Sequence, residues 1–370
     1  MKKILSPVPL ILLCLFLSSW GSVGHKKINQ NMAACLPARM SFLKPSWTTV
    51  VTNNASEADN RKSQDPLEAP RHYIDIDNYP EFVLSGFIAQ VYDTNVARHG
   101  HSFVTEQGIL PWATIATFDS VRECFKRGDW NKSALFAADL GHYIGDGHMP
   151  LHITRNYDGQ YSGQSGVHSR YESTMVGRYA AQIVYPADSA VFIPDITAFI
   201  FNYLYTDYKY VDSVLLADTY ARTAGSVGTD AYYQSLWLKS GNFTILMMRN
   251  ASDALASLIY TAWVQAGSPR MYPNAIGEPV SPDQPALLMV FPNPVRQTTT
   301  FRVFVPDNNL SVNLSIYDSN GGLRDSVISE RLSEGDHKIK WTARNLEPGV
   351  YFCVLKSGSQ TITRKFILAP

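Results

Sequence analysis

Neither sign of charge is in surplus in this chain: 32 Lys and Arg face 32 Asp and Glu, and only 17% of the 370 residues are charged. That balance excludes the strongly basic footprint of a general nucleic-acid binder, although a local groove could still be basic. Long apolar runs are also missing. After the first residues no uninterrupted run reaches about 18, so the mature chain is expected to have no transmembrane segment. Cysteine is scarce, with four in all. Histidine is scarce too, with nine. No internal repeat is evident.

What is present begins with a short positive region, Lys2 and Lys3, followed by the apolar run from Pro9 to Leu17 and then Ser18, Ser19 and Trp20. The run is too short to span a bilayer and reads as a signal peptide, residues 1–19. Cys14 leaves with it. Cys35, Cys124 and Cys353 remain, an odd number. A Cys35–Cys124 disulfide is one arrangement; buried free thiols are the reading the residues favour.

With 45% apolar residues the chain is globular, and its length calls for two domains. From Trp20 to about Ala266 it reads as mostly helical. "SALFAADLGHYIGD" carries apolar residues at 135, 136, 140, 143 and 144, and "GNFTILMMRNASDALASLIYTAWVQAG" ends on Gly267 with Pro269 beyond. A proline-rich stretch at 268–287 reads as a linker. Short alternating runs follow over 288–370: "TFRVFV", "SVNLSIYD", "HKIKW", "GVYFCVL" and "TITRKFIL", separated by "SNGG", "SEGD" and "EPG". They predict an antiparallel, immunoglobulin-like β-sandwich. The fold class is therefore multidomain, an all-α domain over 20–267 followed by a small β-sandwich.

Three of the nine histidines fall within "GHYIGDGHMPLH", residues 141–152. His142 and Asp146 are four apart and project from one helix face, Pro150 ends or bends that helix, and His152 follows. His168 and Glu172 repeat the spacing in "HSRYE". Upstream stand His25 in "WGSVGH", Asp59 in "ASEAD" and His72 in "RHYID". Imidazole and carboxylate are ligands that zinc accepts. Five histidines and three carboxylates exceed the need of one tetrahedral ion, which implies a cluster. His148 matches no ligand position and reads as a supporting or surface residue. His99, His101 and His337 are given no role.

The ordered set Trp20, His25, Asp59, His72, His142, Asp146, His152, His168 and Glu172 resembles the trinuclear zinc site of the superfamily of bacterial phospholipases C and single-strand-specific nucleases. The resemblance implies three zinc ions. One is held by Asp59, His72, His142 and Asp146. A second is held by Asp146, His25 and the terminal amine and carbonyl of Trp20. The third is held by His152, His168 and Glu172. Asp146 bridges the first pair, and Asp59 orients or deprotonates the attacking water. Two dications about 3.5–4 Å apart can activate water and stabilise both oxygens of a phosphodiester displacement.

The implied activity is a secreted zinc-dependent phosphodiesterase, a phospholipase C acting on phospholipid headgroups. Glu172, the lack of a disulfide-rich composition and the neutral charge point to that branch. A single-strand-specific nuclease or nucleotidase is the alternative, so the substrate is expected to be phospholipid or single-stranded nucleic acid. Tyr73, Phe82, Trp112 and Tyr157 are candidate walls for a base or a choline group. An inactive, metal-stabilised binding protein is the reading from another class, and the complete ligand set argues against it. A monomer is expected.

"VFPNPV" at 290–295, "VNLSIYDSNGG" at 312–322, "GDHKIKW" at 335–341, "LEPGVYFCVL" at 346–355 and "TRKFIL" at 363–368 resemble the C-terminal sorting domain of the type IX secretion system. That resemblance implies the type IX machinery as a partner, and a secreted or cell-surface location reached through the periplasm and outer membrane.

Overall fold

The computed structural model describes residues 20–270, 285–307, 309–358 and 360–370. The expected signal peptide, and residues 271–284 of the expected linker, lie outside the described residues.

Helices occupy the chain up to Gln265. The longer ones are α1 (Gly21–Cys35), α2 (Ser46–Asn53), α3 (Leu110–Arg127), α4 (Trp130–Gly147), α5 (Ile196–Tyr208), α6 (Val211–Ala224) and α7 (Asp230–Gln265). Shorter helical turns join them. Their ends follow local chemistry. Gly128 adopts φ 69° and stops α3, and the Asp129 carboxylate accepts from Lys132 N at 3.2 Å to start α4. The two helices therefore fold back on each other across a two-residue turn.

α4 lies at the centre of this region. Ten of its last eleven residues, from Ala137 on, are buried, with Asp139 the exception. A helix covered on nearly every side belongs inside a bundle, and α4 packs on α1, α2, α3 and α7. As expected, it ends before Pro150, in a short 3-10 turn that carries His152. The core around it includes Ile28, Trp47, Phe125, Leu140, Phe201, Met248 and Leu255.

The C-terminal part is the expected sandwich. One sheet orders β1 (Ala286–Phe291), β2 (Thr298–Val305) and β5 (Gly335–Thr342). The other orders β4 (Leu323–Leu332), β3 (Leu310–Asp318), β6 (Gly349–Ser357) and β7 (Gln360–Leu368). Adjacent strands pair antiparallel. Phe301, Val303, Leu314, Ile316, Trp341, Cys353 and Phe366 fill the space between the sheets.

Two strands depart from the sequence reading. β1 begins inside the stretch read as linker, and β4 was not among the expected runs. β4 is mostly exposed along its length, so it lacks the apolar alternation that marks a half-buried strand. Cys35, Cys124 and Cys353 are all buried free thiols.

No helix among the described residues is long and apolar enough to cross a membrane.

Candidate metal centre

The helical region brings together side chains from segments far apart in sequence. α1 supplies His25, and the short helix Glu57–Arg61 supplies Asp59. The 3-10 turn Ala69–His72 supplies His72. α4 supplies His142 and Asp146, and the turn Pro150–His152 supplies His152. His168 and Glu172 come from a short helix whose second part, Arg170–Met175, widens into a π-turn, a form that recurs at functional sites.

Asp146 stands at the centre. Its Oδ2 is 2.9 Å from His72 Nδ1 and 3.5 Å from His142 Nε2. Its Oδ1 is 3.5 Å from His25 Nε2 and 4.0 Å from His152 Nδ1. Asp59 Oδ1 lies 3.5 Å from His142 Nε2 and 3.7 Å from His72 Nδ1. Beside them His168 Nε2 lies 3.1 Å, and His152 Nε2 3.4 Å, from Glu172 Oε2. Three groups thus have donor spacing that could hold an ion: His25, Asp59 and His142; His72, His142 and Asp146; and His152, His168 and Glu172.

The chemistry of these donors fits cations. His152 Nδ1 donates to His72 O at 2.5 Å, and His168 Nδ1 donates to Tyr157 O at 3.0 Å. In the neutral rings each Nε2 is then an acceptor. Those two nitrogens are 3.2 Å apart and both face the Glu172 carboxylate. Two ring nitrogens and a carboxylate oxygen converging in a buried space need positive charge among them, either a bound cation or a proton on His168; burial opposes charge on that ring, but Glu172 outweighs it and raises its pKa. Glu172 Oε2 and Asp146 Oδ1 are buried oxygens with no hydrogen-bond partner among the described residues. His142 is oriented in the same way as the others, with Nδ1 donating to Ala55 O at 2.8 Å.

Electrostatics separate the members. Burial, together with His142, pushes His25 down to about 3. Burial also opposes charge on His142, but Asp146 and Asp59 outweigh it and hold that ring up at about 9. Burial works against ionisation of Asp146 and Asp59 as well; the surrounding histidines, and Lys62 at Asp59, keep both carboxyls well below their ordinary value. Asp59 is the most open of these side chains at 14% exposure, against 3% or less for the others, so it marks the mouth.

Two residues absent from the sequence reading join the site. Lys62 Nζ is 2.7 Å from Asp59 Oδ1. Glu68 Oε1 is 3.4 Å from His72 Nε2, and Glu68 is fixed in turn by the Tyr143 hydroxyl and by Arg61, which also pairs with Asp139. Glu68 precedes His72 by four residues, the same spacing that singled out His142–Asp146 and His168–Glu172, so the signal was there.

Trp20 is fully buried, and its indole donates to Gly145 O at 2.6 Å. Of the four candidate walls, Tyr157 is at the centre, its ring 6.4 Å from that of His168. Tyr73 donates its hydroxyl to Glu106 O at 3.2 Å. Phe82 is a correction: it lines a separate cavity of about 710 Å³ with Tyr205 and Tyr208, whereas Trp112 lines one of about 450 Å³ with Tyr92, Phe136 and Tyr143, whose ring meets that of His72 at 5.5 Å. The two are joined by one run of aromatic rings, Trp112, Phe201, Tyr205 and Phe82, with successive centroids 5.8, 6.0 and 6.1 Å apart. His148 is buried rather than on the surface: its ring stacks on Tyr203 at 4.3 Å, and Nε2 is 3.9 Å from Asp207.

No curated protein matches the chain by sequence. Among solved structures it is similar to the alpha toxin of Clostridium absonum, at 10% identity and a TM-score of 0.41, covering 95% of this chain and 99% of that one. It is also similar to the alpha-toxin of Clostridium perfringens from an avian strain, at 10% identity and a TM-score of 0.40, with the same coverage. Residues 289–369, the β-sandwich, match the family described as the secretion system C-terminal sorting domain. This tail marks the protein for type IX secretion, to the cell surface or the extracellular space.

Proposed function

We propose that the chain is a secreted zinc-dependent phosphoric diester hydrolase, a phospholipase C acting on phospholipid headgroups. The observation that carries the reading is the convergence of His152 Nε2, His168 Nε2 and Glu172 Oε2, three atoms of ligand type within 3.4 Å of one another, next to a second histidine–aspartate set centred on Asp146.

In this reading Asp59, His72, His142 and Asp146 would hold one ion. Asp146 and His25, with Trp20 once cleavage frees its amine, would hold a second. His152, His168 and Glu172 would hold the third. When bound, the ions supply positive charge for the phosphodiester and acidify water. The chain's own residues do the rest. Asp59, at the mouth and held ionised beside Lys62, orients a water toward the phosphorus; its low proton affinity suits orientation better than proton removal. Glu68 backs His72, its Oε1 3.4 Å from Nε2. Burial of the donors excludes bulk water and strengthens each charge interaction.

The test is a parallel assay of the purified protein, with and without chelator, on phosphatidylcholine and on single-stranded DNA. Release of a phosphorylated headgroup, abolished by chelator, is expected. Cleavage of DNA alone would replace the phospholipase with a nuclease. Turnover of neither, nor of bis-p-nitrophenyl phosphate, would leave a metal-stabilised binding protein.

A further inference from the structure

Asp218, on α6, is a fully buried carboxylate with four donors. Gln164 Nε2 reaches Oδ2 at 2.9 Å, Arg222 Nε reaches Oδ2 at 2.7 Å, Arg170 reaches Oδ1 at 3.1 Å, and the Tyr232 hydroxyl closes the set. Such a collection around one carboxylate is costly to assemble unless fully satisfied. None of its members is a ligand candidate, and the proposed chemistry leaves it unused.

Two of the donors lead to the third ligand group. Gln164 belongs to the loop 154–166, and also donates to Leu215 O of α6 at 2.7 Å. Arg170 lies between His168 and Glu172, and its guanidinium ties the same loop by donating to Ser165 O and Gln164 O, both at 2.9 Å. The loop in turn grips His168 from behind. Tyr157 O accepts from its Nδ1 at 3.0 Å, and the Asp158 carboxylate accepts from His168 N at 3.3 Å and Gly166 N at 2.8 Å. Hydrogen bonds and the short backbone segments between them therefore link Asp218 to the ring nitrogen that fixes which face His168 turns to Glu172.

We propose that Gln164 and Asp218 are positioning residues for the His152–His168–Glu172 group, clasping the loop 154–166 to α6 so that His168 Nε2 is held toward Glu172. The inference rests on reading that group as a metal site. Its consequence is selective: loosening the clasp weakens one ion and spares those around Asp146, whose ligand candidates stand on other segments, α1, α4 and the short helical turns Glu57–Arg61 and Ala69–His72.

The test uses the full secreted chain and zinc alone. Metal per chain and zinc affinity by competition are measured for wild type, Gln164→Leu and Arg222→Gln. Gln164→Leu removes the loop's direct side-chain bond to Asp218 and leaves the carboxylate its two arginines, so only the indirect tie through Arg170 remains. Arg222→Gln weakens the carboxylate's surroundings without touching the loop. Expected are three ions in wild type and in Arg222→Gln. In Gln164→Leu one ion should bind about tenfold or more weakly, and the other two should be unchanged. Wild-type affinity for all three ions in Gln164→Leu overturns the proposal, as does weakening of all three together, which would be a general structural effect. His168→Ala separates the two levels of the argument: if it loses no ion, the reading of the group as a metal site fails, whatever Gln164 does.

Discussion

The imidazole of His25 lies face to face with that of His142, ring centroids 3.8 Å apart and planes 12° from parallel. One ring comes from α1 and the other from α4, and glycine is what lets the helices approach. A Cβ at Gly141 would fall 2.0 Å from Asn29 Oδ1, and a Cβ at Gly145 would fall 2.9 Å from His25 Nδ1. Two stacked, buried imidazoles cannot both carry charge cheaply. This fits the split between His25, at about 3, and His142, at about 9.

Gly145→Ala tests that approach. Helix propensity favours alanine by about 1 kcal/mol, while overpacking costs about 1–3 kcal/mol. A small net loss of stability is expected, with a larger effect on the centre: His25 is pushed off its place, one ion binds more weakly, and activity falls about tenfold or more. Metal analysis beside a thermal melt checks it. Full activity with three ions retained means that the exact seat of His25 does not matter.

Asp146→Asn removes the charge shared by two of the proposed ions while keeping the side chain's shape. Hydrolysis should fall by more than about 100-fold, beyond the loss typical of a supporting partner, and bound metal should drop. The β-sandwich should unfold as in wild type, since its core shares no residue with the helical one. Wild-type turnover in this variant would show that Asp146 bridges nothing.

The parts of this molecule that were legible in the sequence are those that follow from local spacing. His142 with Asp146 and His168 with Glu172 sit four apart, and Pro150 marks the helix end that brings His152 in. The alternating strands of the sandwich follow the same logic. What stayed hidden depends on three-dimensional neighbours. Lys62 is one lysine among many until Asp59 is known to lie at the mouth. Gly141 and Gly145 look like weak points in a helix until α1 is seen against them. Phe82 reads as a wall from sequence because an aromatic residue carries no label for the cavity it lines. β4 escaped because a strand mostly exposed along its length has no alternation to read.

Asp207 provides a pH test away from the ligands' own chemistry. Burial alone pushes its carboxyl up to about 8, and Oδ2 has no hydrogen-bond partner among the described residues. Its neighbour His148 is pushed down to about 4, also by burial, so burial disfavours charge on both members of this contact. An unfolded Asp titrates near 3.8, whereas the folded one keeps its proton to about 8. In that window the folded state binds more protons, so stability falls as pH rises through it. Asp207→Asn removes this dependence. Its melting temperature relative to wild type should rise between about pH 5 and pH 8.5, by several degrees. A difference that stays constant with pH would show that Asp207 ionises normally.

Trp20 carries the most exposed prediction. The residue is fully buried against α4 and has φ of 33°, in the left-handed region that side chains other than glycine avoid. That angle exists only while a peptide bond joins Trp20 to Ser19. Cleavage between them abolishes it and releases an amine with a pKa of about 7.7–8.0, which a metal readily deprotonates near neutral pH. Amine and carbonyl of one residue can then close a small chelate ring. Leu17 is bulky for the position three before the new terminus, and a cut after Gly21 would suit the small-residue rule better. It would also delete Trp20 and its indole bond to Gly145. The exported protein is therefore expected to begin at Trp20, and N-terminal sequencing decides it. A start at Ser22 removes the amine ligand and leaves the second ion with Asp146 and His25 alone. One alanine added before Trp20 should keep the helical content but lose most activity and one ion; an unchanged ion count would mean that the terminus is not a ligand.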